Sequence, residues 1–149
     1  MRAVVQRVAR SSVTVDNQII ASIGYGLVVL VGFHRDDSQG DMEYIANKVM
    51  QLRIFNDENN IMNKTIGDVD GELLLISQFT LYGDARKGRR PSYSHAMPPE
   101  GAALFFQDFV DLCKSRYGKV HSGIFGAHME VDIQNTGPVT ILLDSSKLF

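Results

Sequence analysis

Residues 2–9 and 12–15 read as short strands, and in the second Val13 and Val15 alternate with polar partners. A period of two places successive side chains on opposite faces of a pleated strand. Asp16-Asn17 supplies a turn before Ile19-Ile20-Ala21, which completes a hairpin. Gly24 and Gly26 then bracket Leu27-Val28-Val29-Leu30-Val31-Gly32-Phe33, a continuous apolar run suited to a central strand covered on both faces.

The period changes at residue 39. Met42, Ile45, Ala46, Val49 and Leu52 recur at helical spacing opposite Asp41, Glu43 and Lys48, which predicts an amphipathic helix over 39–52. Arg53-Ile54-Phe55 resumes as a strand, and Asn56–Asn60 and Ile66–Gly71 read as a turn and a loop. A buried strand over 72–82 follows, built on Leu73-Leu74-Leu75-Ile76. Pro98-Pro99-Glu100 is a helix start, with proline and an acid in the first turn. Ala102, Phe105, Phe106, Phe109, Val110 and Cys113 form its apolar stripe, and Gly118 ends it. Met129, Val131 and Ile133 alternate with Glu130, Asp132 and Gln134 as a strand buried on one face, and Asn135-Thr136-Gly137-Pro138 turns into a last buried strand, Val139–Leu143.

Seven or more strands with two main helices, and strands that follow one another directly, predict an α+β fold: mixed or antiparallel sheets packed as a barrel-like core. Two helices cover little sheet, so the uncovered apolar surface must meet another sheet or a partner subunit, which favours a homodimer. The 149 residues form a single domain, 1–149, long enough to bury a core. No apolar run approaches the length of a membrane span, and one cysteine, Cys113, leaves no internal disulfide and no cysteine-rich zinc site. These features predict a protein of the cytoplasm with no membrane partner.

A formal net charge of −2 does not recommend a polyanion as partner, but its distribution does. Four of the 15 Lys and Arg residues are Arg86, Lys87, Arg89 and Arg90, leaving 11 basic against 17 acidic residues elsewhere. A basic patch on an acidic body attracts one phosphate segment while repelling indiscriminate binding. Such a run is also compatible with an ordinary solvated loop. Tyr82 and Tyr93 flank it as residues able to stack on a base.

Immediately before this patch the buried strand runs into Ser77-Gln78-Phe79-Thr80-Leu81. Strand alternation puts Ser77 and Phe79 on one face and Gln78 on the other. Taken alone, Thr80 and Ser77 read as structural hydroxyls, because threonine is enriched in strands and no adjacent base is visible to activate a nucleophile. Together with Gln78 they form an edge able to hold a carbonyl or an oxyanion. His34, His95, His121 and His128 lack clustered ligand spacing, so no metal is predicted, and neither GxGxxG leading into a helix nor GxxxxGK[ST] occurs. No cofactor is expected. X-Pro bonds are cis in only about 5–6% of folded cases, so Gly137-Pro138 reads by itself as a trans turn at a loop tip.

Ser77-Gln78-Phe79-Thr80-Leu81 and Asn135-Thr136-Gly137-Pro138-Val139-Thr140, with the opening Met1–Val8, resemble the D-aminoacyl-tRNA deacylases of the bacterial and eukaryotic type. The resemblance spans essentially the whole chain. It implies a homodimer that hydrolyses the ester of D-aminoacyl-tRNA and of glycyl-tRNA, including glycine mischarged on tRNA-Ala, with no DNA partner. It implies that Gly137-Pro138 is a cis dipeptide inserted by one subunit into the other's pocket, that Arg7 supports the insertion, and that Phe79, Phe125 and Met129 line the substrate site. Thr80, Ser77 and Gln78 are the catalytic candidates the resemblance indicates, with either Thr80 or the RNA's own 2′-hydroxyl activating the attack. The absence of a base beside Thr80 favours the 2′-hydroxyl. Arg86, Lys87, Arg89 and Arg90 would meet the RNA.

Two other readings stand beside the ester hydrolase. One is a non-catalytic RNA-binding module that uses Arg86–Arg90. The other is a small-molecule hydrolase built on Thr80.

Overall fold

In the computed structural model, which describes residues 1–148, eight strands form a six-stranded and a two-stranded sheet, accompanied by two helices. The order is β1 (Arg2–Val15), β2 (Gln18–Ile23), β3 (Gly26–Gly32), α1 (Gln39–Gln51), β4 (Phe55–Asn56), β5 (Met62–Lys64), β6 (Glu72–Ser77), a 3₁₀ turn (Phe79–Tyr82), α2 (Pro99–Arg116), β7 (Val120–Ser122) and β8 (Glu130–Asp144). The fold is α+β, as expected, with a mixed rather than purely antiparallel sheet.

β1 organises the sheet. It pairs antiparallel with β8 along nearly its whole length, and with β3 and then β2 along its other edge. From β3 the sheet continues through β6 to β7 with parallel pairing. Each parallel step uses a helix as its crossover, since parallel neighbours need a long connection. β2 returns toward β6 and β7, so the sheet is nearly closed and barrel-like. β4 and β5 form a separate small ribbon.

The parallel strands are apolar on both faces for a visible reason. Leu27, Val29 and Val31 of β3, with Leu73 and Leu75 of β6, meet the helices through Ile45, Val49, Phe106 and Phe109. Val28, Leu74 and Ile76 point the other way into a second cluster with Val8, Val13 and Ile23, covered by Met129, Val131 and Ile133. Gly26 is required where β3 meets β6, because a Cβ there would lie 1.9 Å from the Glu72 carbonyl oxygen. Cys113 is buried in the first cluster, where desolvation pushes its thiol up to about 12; it is a packing residue, as its place on the helix stripe predicts.

Four expectations change. The stretches 2–9 and 12–15 are one continuous strand whose alternation slips at Arg7 and Val8, where both side chains are buried and the pairing with β8 shifts. The strand expected over 72–82 ends at Ser77, where the chain turns into the 3₁₀ segment instead of continuing its alternation. The turn expected at 135–138 is a bulge inside β8: between Gln6↔Thr140 and Val8↔Asn135, two steps of β1 face five of β8. The Gly137–Pro138 peptide is cis, not the trans form that residue statistics alone favour. Among the described residues no helix is long and apolar enough to cross a membrane.

Candidate active site

The end of β6 is the organising point. Leu73 to Ile76 are held by apolar burial on both faces, so Ser77 and Gln78 emerge from a fixed base. The Gln78 amide then donates to the Val31 carbonyl at 2.6 Å, and the chain closes a 3₁₀ turn over Gly32. Only glycine fits beneath that turn: a Cβ on Gly32 would lie 2.8 Å from the Gln78 carbonyl oxygen.

This turn forms one wall of a cavity of about 610 Å³, a volume suited to a small organic group. Ser77, Gln78 and Phe79 line that wall. Phe125 and Met129, in the segment leading to β8, line the opposite side, with His128 at the rim. The third wall is the segment before α2, where Tyr93, Met97 and Pro98 contribute. Phe79 and Tyr93 meet edge to face at 5.0 Å and 67°. The apolar lining leaves few polar groups to orient a ligand, and the Ser77 hydroxyl and Gln78 carboxamide are among them.

Thr80 stands apart from this lining. It is exposed, and its hydroxyl accepts a hydrogen bond from the Gln78 side-chain amide. No carboxylate, imidazole or amine bonds to it among the described residues. The expected face pairing of Ser77 with Phe79, opposite Gln78, is superseded, because all three residues line the same cavity once the strand gives way to the turn.

Gly137 and Pro138 lie elsewhere, exposed at the tip of the β8 bulge. Side chains hold this tip rigid. Arg7, 7% exposed, donates from Nε to the Thr136 carbonyl at 3.2 Å and from Nη1 to the Ile54 carbonyl at 2.7 Å and Asn56 Oδ1 at 3.1 Å. A buried guanidinium is thus satisfied by neutral acceptors. Asn135 closes the bulge from the other side, accepting from the Val139 amide at 2.9 Å and donating to Thr140 Oγ1 at 3.0 Å. The dipeptide lines no part of the cavity in its own chain.

The basic run is a third location, and its charge is smaller than its composition. Arg86 forms a two-pronged pair with Asp84, at 2.9 Å from Nε and 2.6 Å from Nη2. That pairing holds the Asp84 carboxyl well below the usual carboxylate range. Lys87, Arg89 and Arg90 are exposed, and none has an ion-pair partner among the described residues. Tyr82, expected to be available for stacking, is buried beneath the Arg2 guanidinium, which lies 4.7 Å from its ring centre. Tyr93 remains exposed, engaged with Phe79.

A family model described as D-Tyr-tRNA(Tyr) deacylase matches residues 4–144. A D-aminoacyl-tRNA deacylase of Clostridium acetobutylicum is 54% identical to the chain over 149 residues, with 100% of both sequences covered. A solved structure titled c-Myc DNA Unwinding Element Binding Protein is similar at a TM-score of 0.93 and 43% identity, covering 97% of this chain and 98% of that one. Another, titled as a structural analysis of a probable eukaryotic D-amino acid tRNA deacylase, has a TM-score of 0.76 and covers 95% and 97%; at 20% identity the likeness is one of fold.

Proposed function

The chain belongs to the D-Tyr-tRNA(Tyr) deacylase family, and we propose that the cavity at the end of β6 holds the aminoacyl ester of a D-aminoacyl-tRNA, with its chiral wall supplied by Gly137-Pro138 of a second copy. The activity is hydrolysis of the ester joining the amino acid to the tRNA. The observation that carries the arrangement is the separation of the two motifs: a lined cavity, and an exposed, braced dipeptide that is no part of that cavity's lining in its own chain. Each copy in a two-fold dimer would then complete the other's site.

In the reaction, water adds to the acyl carbon, the bond to the ribose 3′ oxygen breaks, and that oxygen takes up the proton water gave up. The products are a free amino acid carboxylate, one proton released to solvent, and the tRNA 3′-hydroxyl. The neighbouring 2′-hydroxyl of the RNA relays the proton, since Thr80 has no base beside it. Ser77 and Gln78 hold the ester carbonyl, and Thr80 fixes the Gln78 carboxamide. Phe79, Phe125 and Met129 enclose the ester, while Lys87, Arg89 and Arg90 meet the RNA backbone.

Selection by handedness follows from excluded volume. A single methyl contact discriminates by only about 1–3 kcal/mol, so attraction alone is a weak sieve. A wall of main-chain atoms rejects an L side chain by clash. It has nothing to clash with in glycine, so glycyl-tRNA is also cleaved. Deacylation of D-tyrosyl-, L-tyrosyl- and glycyl-tRNA by the purified protein tests this: release is expected from the first and third alone. Binding of all three with release from none would reduce the protein to an RNA-binding module.

A further inference from the structure

Behind the 3₁₀ turn lies a second cavity, of about 740 Å³, that the ester chemistry does not use. Arg2, His34, Tyr82, Asp84, Arg86 and His95 form its walls. Three of these rings make a column. His34 packs on Tyr82 at 5.4 Å, and His95 stacks nearly parallel on His34, at 5.8 Å and 16°. The column ends at His95, which is exposed, makes no side-chain hydrogen bond, and has no ring beyond it among the described residues.

The carboxylates of this cavity are already neutralised. Asp84 is paired with Arg86, and Asp144 accepts from Arg2 Nε at 2.9 Å and from the Ser146 amide at 2.7 Å. Among the described residues the walls therefore carry no unpaired acid to repel an anion, and the free cations Lys87, Arg89 and Arg90 follow directly in the chain. Aromatic faces beside a basic loop suit a nucleobase with its phosphate.

The two cavities share their dividing walls. Tyr93 and Ala96 face the ester cavity while His95, between them, faces the second. On the 3₁₀ turn Phe79 faces the first and Tyr82 the second, three residues and roughly 6 Å further along the axis. The two cavities are thus neighbours along the same two segments, as two successive nucleotides of one RNA strand require.

We infer that the second cavity takes the nucleotide immediately 5′ of the terminal adenosine, with its base stacked on His95 and its phosphate turned toward Lys87, Arg89 and Arg90. This rests on the reading of the first cavity as the aminoacyl-adenosine site. His95 is a positioning residue here, acting on the longer substrate and not on the ester.

Two substrates separate the possibilities: the D-tyrosyl ester of adenosine alone, and the same ester on a CCA trinucleotide. For His95→Ala, KM for the trinucleotide is expected to rise about 5- to 150-fold, the range of one lost stacking contact, with kcat preserved and the adenosine ester cleaved as by the wild type. His95→Phe, which keeps a flat ring, should restore the lower KM, and undiminished cleavage of the adenosine ester reports that each variant is folded. Equal changes on both substrates, or no change on either, would overturn the inference. If the wild type cleaves neither substrate, the reading of the first cavity fails and this one falls with it.

Discussion

Gly137 sits at φ +121°, where an added Cβ would approach Arg7 Nη2 and Val139 Cγ2, each to 2.8 Å. So sparsely populated a conformation costs a residue with a side chain roughly 1–3 kcal/mol. Gly137→Ala is therefore expected to lower Tm by about 2–12 °C while reducing hydrolysis of D-tyrosyl-tRNA more than tenfold. Thermal unfolding measured beside deacylation checks this, and unimpaired deacylation would remove the dipeptide from the site. Much at this scale was legible in the sequence. Ser77, Gln78, Phe79, Phe125 and Met129 line one cavity, and Arg7 does brace the bulge that carries Gly137 and Pro138. The place of Thr80 in a turn outside the cavity lining was not legible, because a strand pattern cannot announce that the chain turns at residue 78. Arg86 escaped for a different reason: counting charges does not reveal that Asp84, two residues earlier, already holds it.

Among the elements, the 3₁₀ turn is the part most finely set. Adding a methyl at Gly32 forces movement of backbone, since the near atoms are the Gln78 carbonyl oxygen at 2.8 Å and Leu81 Cβ at 3.1 Å. Gly32→Ala should thus shift Gln78 and Phe79 and cut kcat/KM by about 10-fold or more, with the far-ultraviolet spectrum unchanged. Helix α1 permits a prediction in pH. Burial opposes ionisation of Asp41, yet the Ser38 amide and hydroxyl, bonded to its carboxylate at 2.9 and 2.7 Å, help hold it down to about 2. A folded pKa below the unfolded value of about 3.9 means stabilisation that is complete above that pH and is lost as pH falls toward 2. Asp41→Asn should flatten the acid limb of the stability curve in this window, measured by denaturant titration. Both helices were readable from their apolar stripes, within one or two residues at their ends. β7 was not, because three residues carry too short a period and their pairing with β6 spans more than 40 positions.

At the scale of the molecule, β8 carries the features on which the proposed pairing of two copies rests. It pairs on one edge with β1, exposes Leu142 at 55%, and displays its bulge to solvent. The α+β class and the barrel-like sheet follow from strand count and from hairpins adjacent in sequence. The cavity itself does not, since its walls come from β6, the segment before α2 and the segment before β8, which only long-range packing brings together. On the proposed reading, a site combines the cavity of one copy with Gly137-Pro138 of another. Mixed dimers of Gln78→Ala and Gly137→Ala chains, each expected to be nearly inactive alone, test it most directly. Random exchange makes half the dimers mixed, each with one intact site of two, so deacylation of D-tyrosyl-tRNA should return to about a quarter of the wild-type rate. Mixed dimers that form, by differential tagging, yet remain as inactive as either parent would contradict the account.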